Sequence, residues 1–204
     1  MTIGAGLDYS AYEAINGLTG NSLADGAMTF LTAALQVVMV GIVALTFLLP
    51  WAEKRRERRR GAVLATASAA TALLINQPVS HLVDRARPYL AHPAHAHLLI
   101  ARSHDASFPS DHATGGFALA VAVFLYDRTI GTLLLVLAAV LAFTRVYVGT
   151  HYPGDVVAGA LIGAAVAVLL FRLALTRSAL EELAGRCGAL WDSALARLLP
   201  RRLA

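Results

Sequence analysis

Charged side chains are scarce in this chain. Only 15% of its 204 residues are Asp, Glu, Lys or Arg, 57% are hydrophobic, and the mean hydropathy is +0.62. Soluble domains usually carry about 25% charged residues, so a water-exposed globule of this composition would struggle to cover its own surface. The composition argues against an ordinary soluble enzyme, a disordered chain and a disulfide scaffold, and it indicates an integral membrane protein.

Cysteine and lysine are nearly absent. The single cysteine, Cys187, cannot form an internal disulfide and is best explained as a small apolar residue. Lys54 is the only lysine among 17 basic residues, and six of those 17 fall within residues 53–60 (EKRRERRR). We interpret this run as a topology signal rather than a nucleic-acid site, because it separates two apolar stretches and no aromatic platform accompanies it.

The uncharged stretches predict an all-α, polytopic membrane bundle of five to six helices. About 20 apolar residues cross the hydrocarbon core as a helix. Two stretches are long enough alone, and three become long enough when polar residues at one end are included. The five predicted spans are 27–49, 61–80, 109–126, 129–148 and 153–172.

Ionisable groups at the ends of the three shorter spans are therefore informative. Such groups are costly at membrane depth and are usually functional. We expect His112, Arg145 and Asp155 to lie just inside the boundary and to face the interior of the bundle.

The chain is predicted to be one integral-membrane domain, 1–204, with three parts. Residues 1–26 form an interfacial segment that could supply a sixth helix, 27–176 form the functional bundle, and 177–204 form an amphipathic cytoplasmic tail. No cleavable signal is evident, because residues 1–7 lack a basic residue.

Orientation follows from the basic run, which should lie in the cytoplasm. Counting crossings then places the N-terminus, a long loop over 81–110 and a short turn over 149–154 outside, with the basic tail inside. The outer loop and turn should face each other. Together they carry Arg85, Arg87, Ser110, Asp111, His112, Arg145, His151 and Asp155.

These outer residues suit a phosphate group. Arginines provide charge and paired N–H donors, and a helix beginning near Ser110 would offer free backbone N–H groups. Asp155 can orient His151 as a nucleophile, and His112 can protonate a leaving oxygen near neutral pH. Each residue alone has a plainer explanation, such as a snorkelling arginine or a helix cap. Their joint occurrence on one side favours a site.

Three ordered motifs carry a family resemblance. They are Arg85-Ala-Arg87-Pro88, then Pro109-Ser110-Asp111-His112, then Thr144-Arg145 with His151 and Asp155 downstream. The set resembles the type-2 phosphatidic acid phosphatase superfamily. The string from Ser107 to His112 is similar to the undecaprenyl-pyrophosphatase branch associated with bacitracin resistance.

The chain departs from the family pattern at three places. The family lysine ahead of the Arg-Pro pair would fall at Ser80, and Arg85 is the obvious compensating cation. The glycine of the second motif is Asp111, whose carboxylate would repel a phosphate if it pointed inwards. Thr144 replaces the usual serine.

The resemblance implies a metal-free and cofactor-free phosphatase in the plasma (inner) membrane, with its site on the outer face. His151 would form a phosphohistidine, Asp155 would hold it, and His112 would protonate the leaving oxygen. Arg85, Arg87, Ser110, Asp111 and Arg145 would bind the phosphate. The expected substrate is undecaprenyl pyrophosphate, converted to undecaprenyl phosphate.

Other functions remain open at this point. Phosphatidic acid or phosphatidylglycerophosphate could be the substrate, since the motifs do not separate head groups. A non-catalytic lipid-binding membrane protein is a different class, which the presence of both His112 and His151 disfavours. Outer-loop histidines could bind zinc, although a solvated loop is the favoured interpretation; they are His81, His92, His95, His97 and His104. We expect no nucleic-acid partner, and the oligomeric state is not encoded.

Overall fold

A computed structural model describes residues 3–49 and 54–198, and every regular element in that part of the chain is a helix. The remaining residues lie outside the described ranges, including Glu53 of the basic run and 199–204 of the predicted tail. The helices are α1 (Ile3–Asn16), α2 (Ser22–Leu48), α3 (Arg55–Val83), α4 (Pro88–Ala91), α5 (Asp111–Phe124), α6 (Arg128–Tyr147), α7 (Pro153–Arg172) and α8 (Ala174–Leu198). The predicted all-α polytopic bundle is confirmed.

Each of the five predicted spans corresponds to a helix. Four are long and apolar enough to cross a membrane: α2, α3 together with α4, α6 and α7. The fifth, α5, has only 14 residues, and it packs in the centre of the bundle against α3, α6 and α7. Large apolar side chains such as Val37, Leu74 and Leu161 are exposed on the outer faces, as contact with lipid requires. The protein is an integral membrane protein.

Local sequence explains where the helices begin. Asn21 starts α2 by accepting hydrogen bonds from the backbone N–H groups of Leu23 and Ala24, and Asp127 starts α6 in the same way. At α7, Pro153 occupies the first helical turn, where its missing N–H has no cost. Helix α3 begins six residues before the predicted span, because most of the basic run is itself helical.

Helices α5 and α7 approach each other closely at two glycines. A Cβ atom on Gly163 would lie 2.2 Å from the backbone oxygen of Thr114, and one on Gly159 would lie 2.6 Å from the backbone oxygen of Ser110. Only glycine allows backbones to approach this far in a membrane helix pair. Because Ser110 and Thr114 flank the start of α5, this contact positions the second motif against the third.

The basic run lies at the opposite end of α3 from the second and third motifs. Helix α3 has 29 residues, which corresponds to about 43 Å at 1.5 Å per residue. At this far end Arg59 forms a paired contact with Asp192 of α8 at 2.7 and 3.0 Å. Arg58 contacts Asp127 at 2.8 Å. The run therefore ties α3 to α8 and to the α5–α6 turn, in addition to its charge.

We expect Gly163→Ala to destabilise the bundle, because the added methyl group has no space against α5. Overpacking of this kind costs about 1–3 kcal/mol, so the unfolding temperature in detergent should fall by several degrees. Gly41→Ala in α2 is the matched control, since a methyl group added there would meet no atom within 4 Å. Equal unfolding temperatures for the two variants would contradict the close α5–α7 contact.

Candidate active site

A polar cavity of about 340 Å³ lies at the end of the bundle where α3 ends and α5 begins. It collects five of the eight residues predicted from the sequence, which are Arg87, Asp111, His112, Arg145 and His151. Ser80 also lines it, at the position of the family lysine. The other three predicted residues, Arg85, Ser110 and Asp155, do not line it.

His151 is held in one orientation by a backbone carbonyl. Its ring is 3% exposed, and Nδ1 lies 2.8 Å from the oxygen of Ser107. A carbonyl oxygen can only accept a hydrogen bond, so Nδ1 carries the proton and Nε2 keeps its lone pair. Nη1 of Arg87 lies 3.3 Å from that Nε2. The nitrogen that faces the cavity is therefore the unprotonated one.

Asp155 is a fully buried carboxylate with several donors. Its Oδ1 accepts from Nη1 of Arg85 at 2.7 Å, and its Oδ2 accepts from the Ser107 hydroxyl and from the Tyr152 backbone N–H. Nδ1 of His151 lies 3.7 Å from Oδ2, so the carboxylate supports the imidazole electrostatically. The N-cap of α7 is Tyr152, and Asp155 stands three residues later in a capping box.

Burial lowers the pKa of His151 below its ordinary value. Asp155 opposes the shift by favouring the imidazolium, whereas the positive charges of Arg87 and Arg145 add to it. The imidazole is therefore neutral around physiological pH, which is the state in which a histidine can act as a nucleophile.

Two arginines give the cavity its positive charge, and they are held differently. Arg87 donates to the backbone oxygen of Thr150, and it also forms an ion pair with Asp105 at 3.0 Å. Arg145 is 8% exposed, and within the described part of the chain its Nη1 donates to the Thr32 hydroxyl at 3.2 Å. Its Nε has no partner there, and no carboxylate is paired with it. A buried cation without a counter-ion is a strong anion site.

Arg85 does not reach the cavity, although we expected it to bind phosphate. Its two terminal nitrogens each lie 2.7 Å from a carboxylate, one on Asp155 and the other on Asp8 of α1. The guanidinium also stacks over the Tyr152 ring at 3.9 Å. Both carboxylates hold the side chain away from the cavity, so it does not replace the missing family lysine directly.

Ser110 and Asp111 form the start of α5 beside the cavity. Ser110 is the N-cap residue, and its buried hydroxyl has no hydrogen-bond partner among the described residues. Asp111 lines the cavity, where the buried amide of Asn76 holds its Oδ1 at 2.8 Å. The backbone N–H groups at the start of this helix can donate hydrogen bonds to an anion, as the arginines do.

The outer-loop histidines do not converge. His81 and His104 line the cavity, whereas His92 packs against the Tyr9 ring with a centroid separation of 3.9 Å. Within residues 3–49 and 54–198, no three His, Cys, Asp or Glu side chains are placed to hold a metal ion. Helix α3 continues to Val83, so the loop predicted over 81–110 begins at Asp84 rather than at His81.

Sequence reasoning missed five residues that shape this site. Ser107 belongs to the second-motif string but had no assigned role, and no motif marks Asn76 in the second predicted span or Asp8 in the N-terminal segment. Thr32 and Asp105 carried no local signal, because their partners, Arg145 and Arg87, lie far away in the sequence.

A histidine with an unprotonated nitrogen and two buried arginines, at one end of a membrane helix bundle, is an arrangement suited to hydrolysis of a phosphate group carried by a lipid. The PAP2 superfamily model matches residues 61–179. The chain is 34% identical to undecaprenyl-diphosphatase BcrC of Bacillus subtilis (strain 168), over 81% of this chain and 83% of that protein. This chain belongs to the PAP2 superfamily.

Two further comparisons agree with that assignment. The bacitracin transport permease protein BcrC of Bacillus licheniformis is 29% identical over 80% of this chain and 78% of its own length. Among solved structures, LpxE of Aquifex aeolicus superposes with a TM-score of 0.67 at 21% identity, covering 82% of this chain and 96% of that one. At this identity the superposition shows a shared fold only.

We expect His151 to carry its proton on Nδ1 and to become doubly protonated only below the ordinary imidazole pKa of about 6.5. Nitrogen-15 NMR of histidine-labelled protein in detergent micelles, with His151→Gln to assign the signal, measures both properties. A His151 spectrum that shows the proton on Nε2 instead of Nδ1 near pH 7 would contradict the hydrogen bond to the Ser107 carbonyl.

Proposed function

We propose that this chain hydrolyses undecaprenyl diphosphate to undecaprenyl phosphate. The observation that carries the proposal is the buried guanidinium of Arg145, which has no carboxylate partner among the described residues and shares a cavity with the unprotonated Nε2 of His151. A group with several negative oxygens would neutralise this arginine, and His151 could then reach its phosphorus. The Bacillus subtilis relative, which matches most of the chain, carries the name of this activity.

The reaction divides into two steps. Nε2 of His151 attacks the terminal phosphorus, an N–P bond forms, and the bond from that phosphorus to the bridging oxygen breaks. His112, which takes up a proton from solvent once the negative charge of the bound diphosphate offsets Arg87 and Arg145, gives that proton to the departing undecaprenyl phosphate. Water, deprotonated by His112, then attacks the phosphohistidine, the N–P bond breaks, and inorganic phosphate leaves.

Charge stabilisation accounts for much of the catalysis, as is general in phosphoryl transfer. Arg87 and Arg145 would bind the equatorial oxygens, together with backbone N–H groups at the start of α5. The Ser110 hydroxyl, which lacks a partner among the described residues, can turn towards one of these oxygens. Asp155 would stabilise the positive charge that develops on His151 as the N–P bond forms.

An apolar cavity of about 800 Å³ supports a substrate with a long hydrocarbon chain. It lies between α2, α3, α5 and α8. Gln36, which lines this cavity, lies one helical turn after Thr32 in α2. Gly115, which also lines it, lies one turn after Asp111 in α5, and both Thr32 and Asp111 belong to the polar site. A lipid whose phosphates occupy the polar cavity could therefore extend its chain along this apolar surface.

The charge distribution supports an active site on the outer face of the plasma membrane. The basic run and the polar cavity lie at opposite ends of α3, and basic segments remain in the cytoplasm. We propose that the chain acts as a single domain, with 27–176 forming the catalytic bundle and 177–204 the cytoplasmic tail.

A substrate panel tests the proposed reaction. Purified protein should release phosphate from undecaprenyl diphosphate in mixed micelles, with and without chelator, and His151→Ala should abolish the release. Faster turnover of phosphatidic acid or phosphatidylglycerophosphate would assign one of those lipids instead. Full activity of His151→Ala would reject the nucleophile, and no turnover of any panel member would favour a non-catalytic lipid-binding protein.

Arg145→Gln should lower kcat/KM by about 100-fold or more, because loss of one preorganised charge donor has that order of effect. Arg145→Lys should recover only part of the loss, since an ammonium cannot form paired contacts to two oxygens. Arg128→Gln, at the opposite end of α6, is the matched control and should retain activity. Phosphate-release kinetics that leave Arg145→Gln equal to this control would remove Arg145 from the site.

A further inference from the structure

Helix α1 is attached to the outer end of the bundle by one face. Asp8, Tyr12 and Asn16 are spaced four residues apart and therefore lie on the same side of the helix. Tyr12 is fully buried and its ring packs against Tyr152, with 5.5 Å between ring centroids. The Asn16 side chain bonds to the backbone of both His97 and Tyr147. This face of the predicted interfacial segment therefore contacts protein.

Asp8 makes the contact closest to the active site. Its Oδ2 lies 2.7 Å from Nη2 of Arg85, and its Oδ1 accepts a hydrogen bond from the Gly154 backbone N–H, also at 2.7 Å. Its side chain is 16% exposed. Asp8 thus holds both a guanidinium and the first turn of α7.

Arg85 stands between two carboxylates of different exposure. One terminal nitrogen binds Asp8, and the other binds Asp155, which is fully buried next to His151. Both contacts are 2.7 Å long. Charge-assisted hydrogen bonds of this length are strong and directional, so the position of Asp8 constrains the position of Asp155.

We propose that Asp8 is a positioning residue of the active site, which acts through Arg85 to orient Asp155 and so to set the charge that His151 experiences. The inference rests on the proposed function, in which His151 is the nucleophile. Helix α1 thereby becomes a part of the catalytic apparatus, although none of its described side chains lines the cavity.

Sharing of Arg85 has a consequence of definite sign. When Asp8 is replaced by a neutral residue, only Asp155 offsets the positive charge of Arg85. Asp155 then stabilises the imidazolium of His151 less, so His151 should protonate at lower pH. When Arg85 is replaced by a neutral residue, no guanidinium offsets the negative charge of Asp155, so His151 should protonate at higher pH. The other groups that face His151 are unchanged in both variants; they are Arg87 before α4, His112 on α5 and Arg145 on α6.

Asp8→Asn is the main test, because asparagine can still accept from Gly154 but cannot neutralise Arg85. We expect kcat to fall about 10- to 100-fold, the range seen when outer supporting contacts are lost or groups are slightly misplaced. KM should stay nearly constant, since Asp8 does not line the cavity. Because neutral His151 is the active form, the acidic limb of the pH profile should move to lower pH.

Glu13→Gln is the matched control, since it removes the same charge from an exposed position on α1. It should leave kcat, KM and the pH profile unchanged. The unfolding temperatures of both variants show whether α1 is still attached to the bundle. An unchanged unfolding temperature with a lower kcat indicates that Asp8 positions the active site. A raised KM with unchanged kcat in Asp8→Asn, or an unshifted pH limb, would overturn the proposal.

Arg85→Gln gives the opposite test and a coupling test. Its acidic limb should move to higher pH. In the Arg85→Gln background, Asp8→Asn should have little further effect on kcat, because contacting residues are not additive. A full additional loss would show that Asp8 does not act through Arg85, and would reject the proposal.

The NMR titration of His151 needs no substrate and so separates this proposal from the proposed function. A lower His151 pKa in Asp8→Asn than in wild-type protein supports the positioning role, whichever lipid is hydrolysed. An unchanged pKa overturns that role. Full activity of His151→Ala would instead reject the proposed nucleophile while leaving the titration result intact.

Discussion

The buried carboxylate of Asp155 is the group on which the cavity end of the bundle depends. It is fully buried and accepts hydrogen bonds from Arg85, Ser107 and the backbone of Tyr152. Its backbone oxygen also accepts from the N–H of Ser110. One residue therefore joins the α3–α4 connection, the outer loop, the start of α5 and the start of α7. A buried charge is tolerable only with such partners.

Charge is distributed unequally between the two ends of the molecule. At the end with the basic run, Arg58 and Arg59 have carboxylate partners in neighbouring elements. At the other end, Arg145 is buried without a carboxylate among the described residues. The first arrangement stabilises the fold, and the second leaves positive charge available to a ligand. The difference between the paired Arg58 and Arg59 and the unpaired charge of Arg145 stands out because the chain has few other charged residues.

The sequence was sufficient for the helices and for much of the site. The lengths of the uncharged stretches predict the five spans, since a helix needs about 20 apolar residues to cross the hydrocarbon core, whatever the fold. Spacing and family resemblance located His112, Arg145, His151 and Asp155. Sequence could not show that Arg85 turns away from the cavity, because that depends on Asp8, which is 77 residues distant. Nor could it show that Ser107 holds His151 through a backbone carbonyl, which no side-chain pattern encodes.

The proposed reaction depends on a covalent bond between phosphorus and Nε2 of His151. The most direct measurement is acid-free rapid quenching during turnover of undecaprenyl diphosphate labelled in its terminal phosphate, followed by peptide mass spectrometry. We expect one labelled phosphohistidine, at position 151, which is absent from His151→Ala. Turnover with label on another residue, or direct transfer of phosphate to water with no labelled protein, would contradict the covalent mechanism.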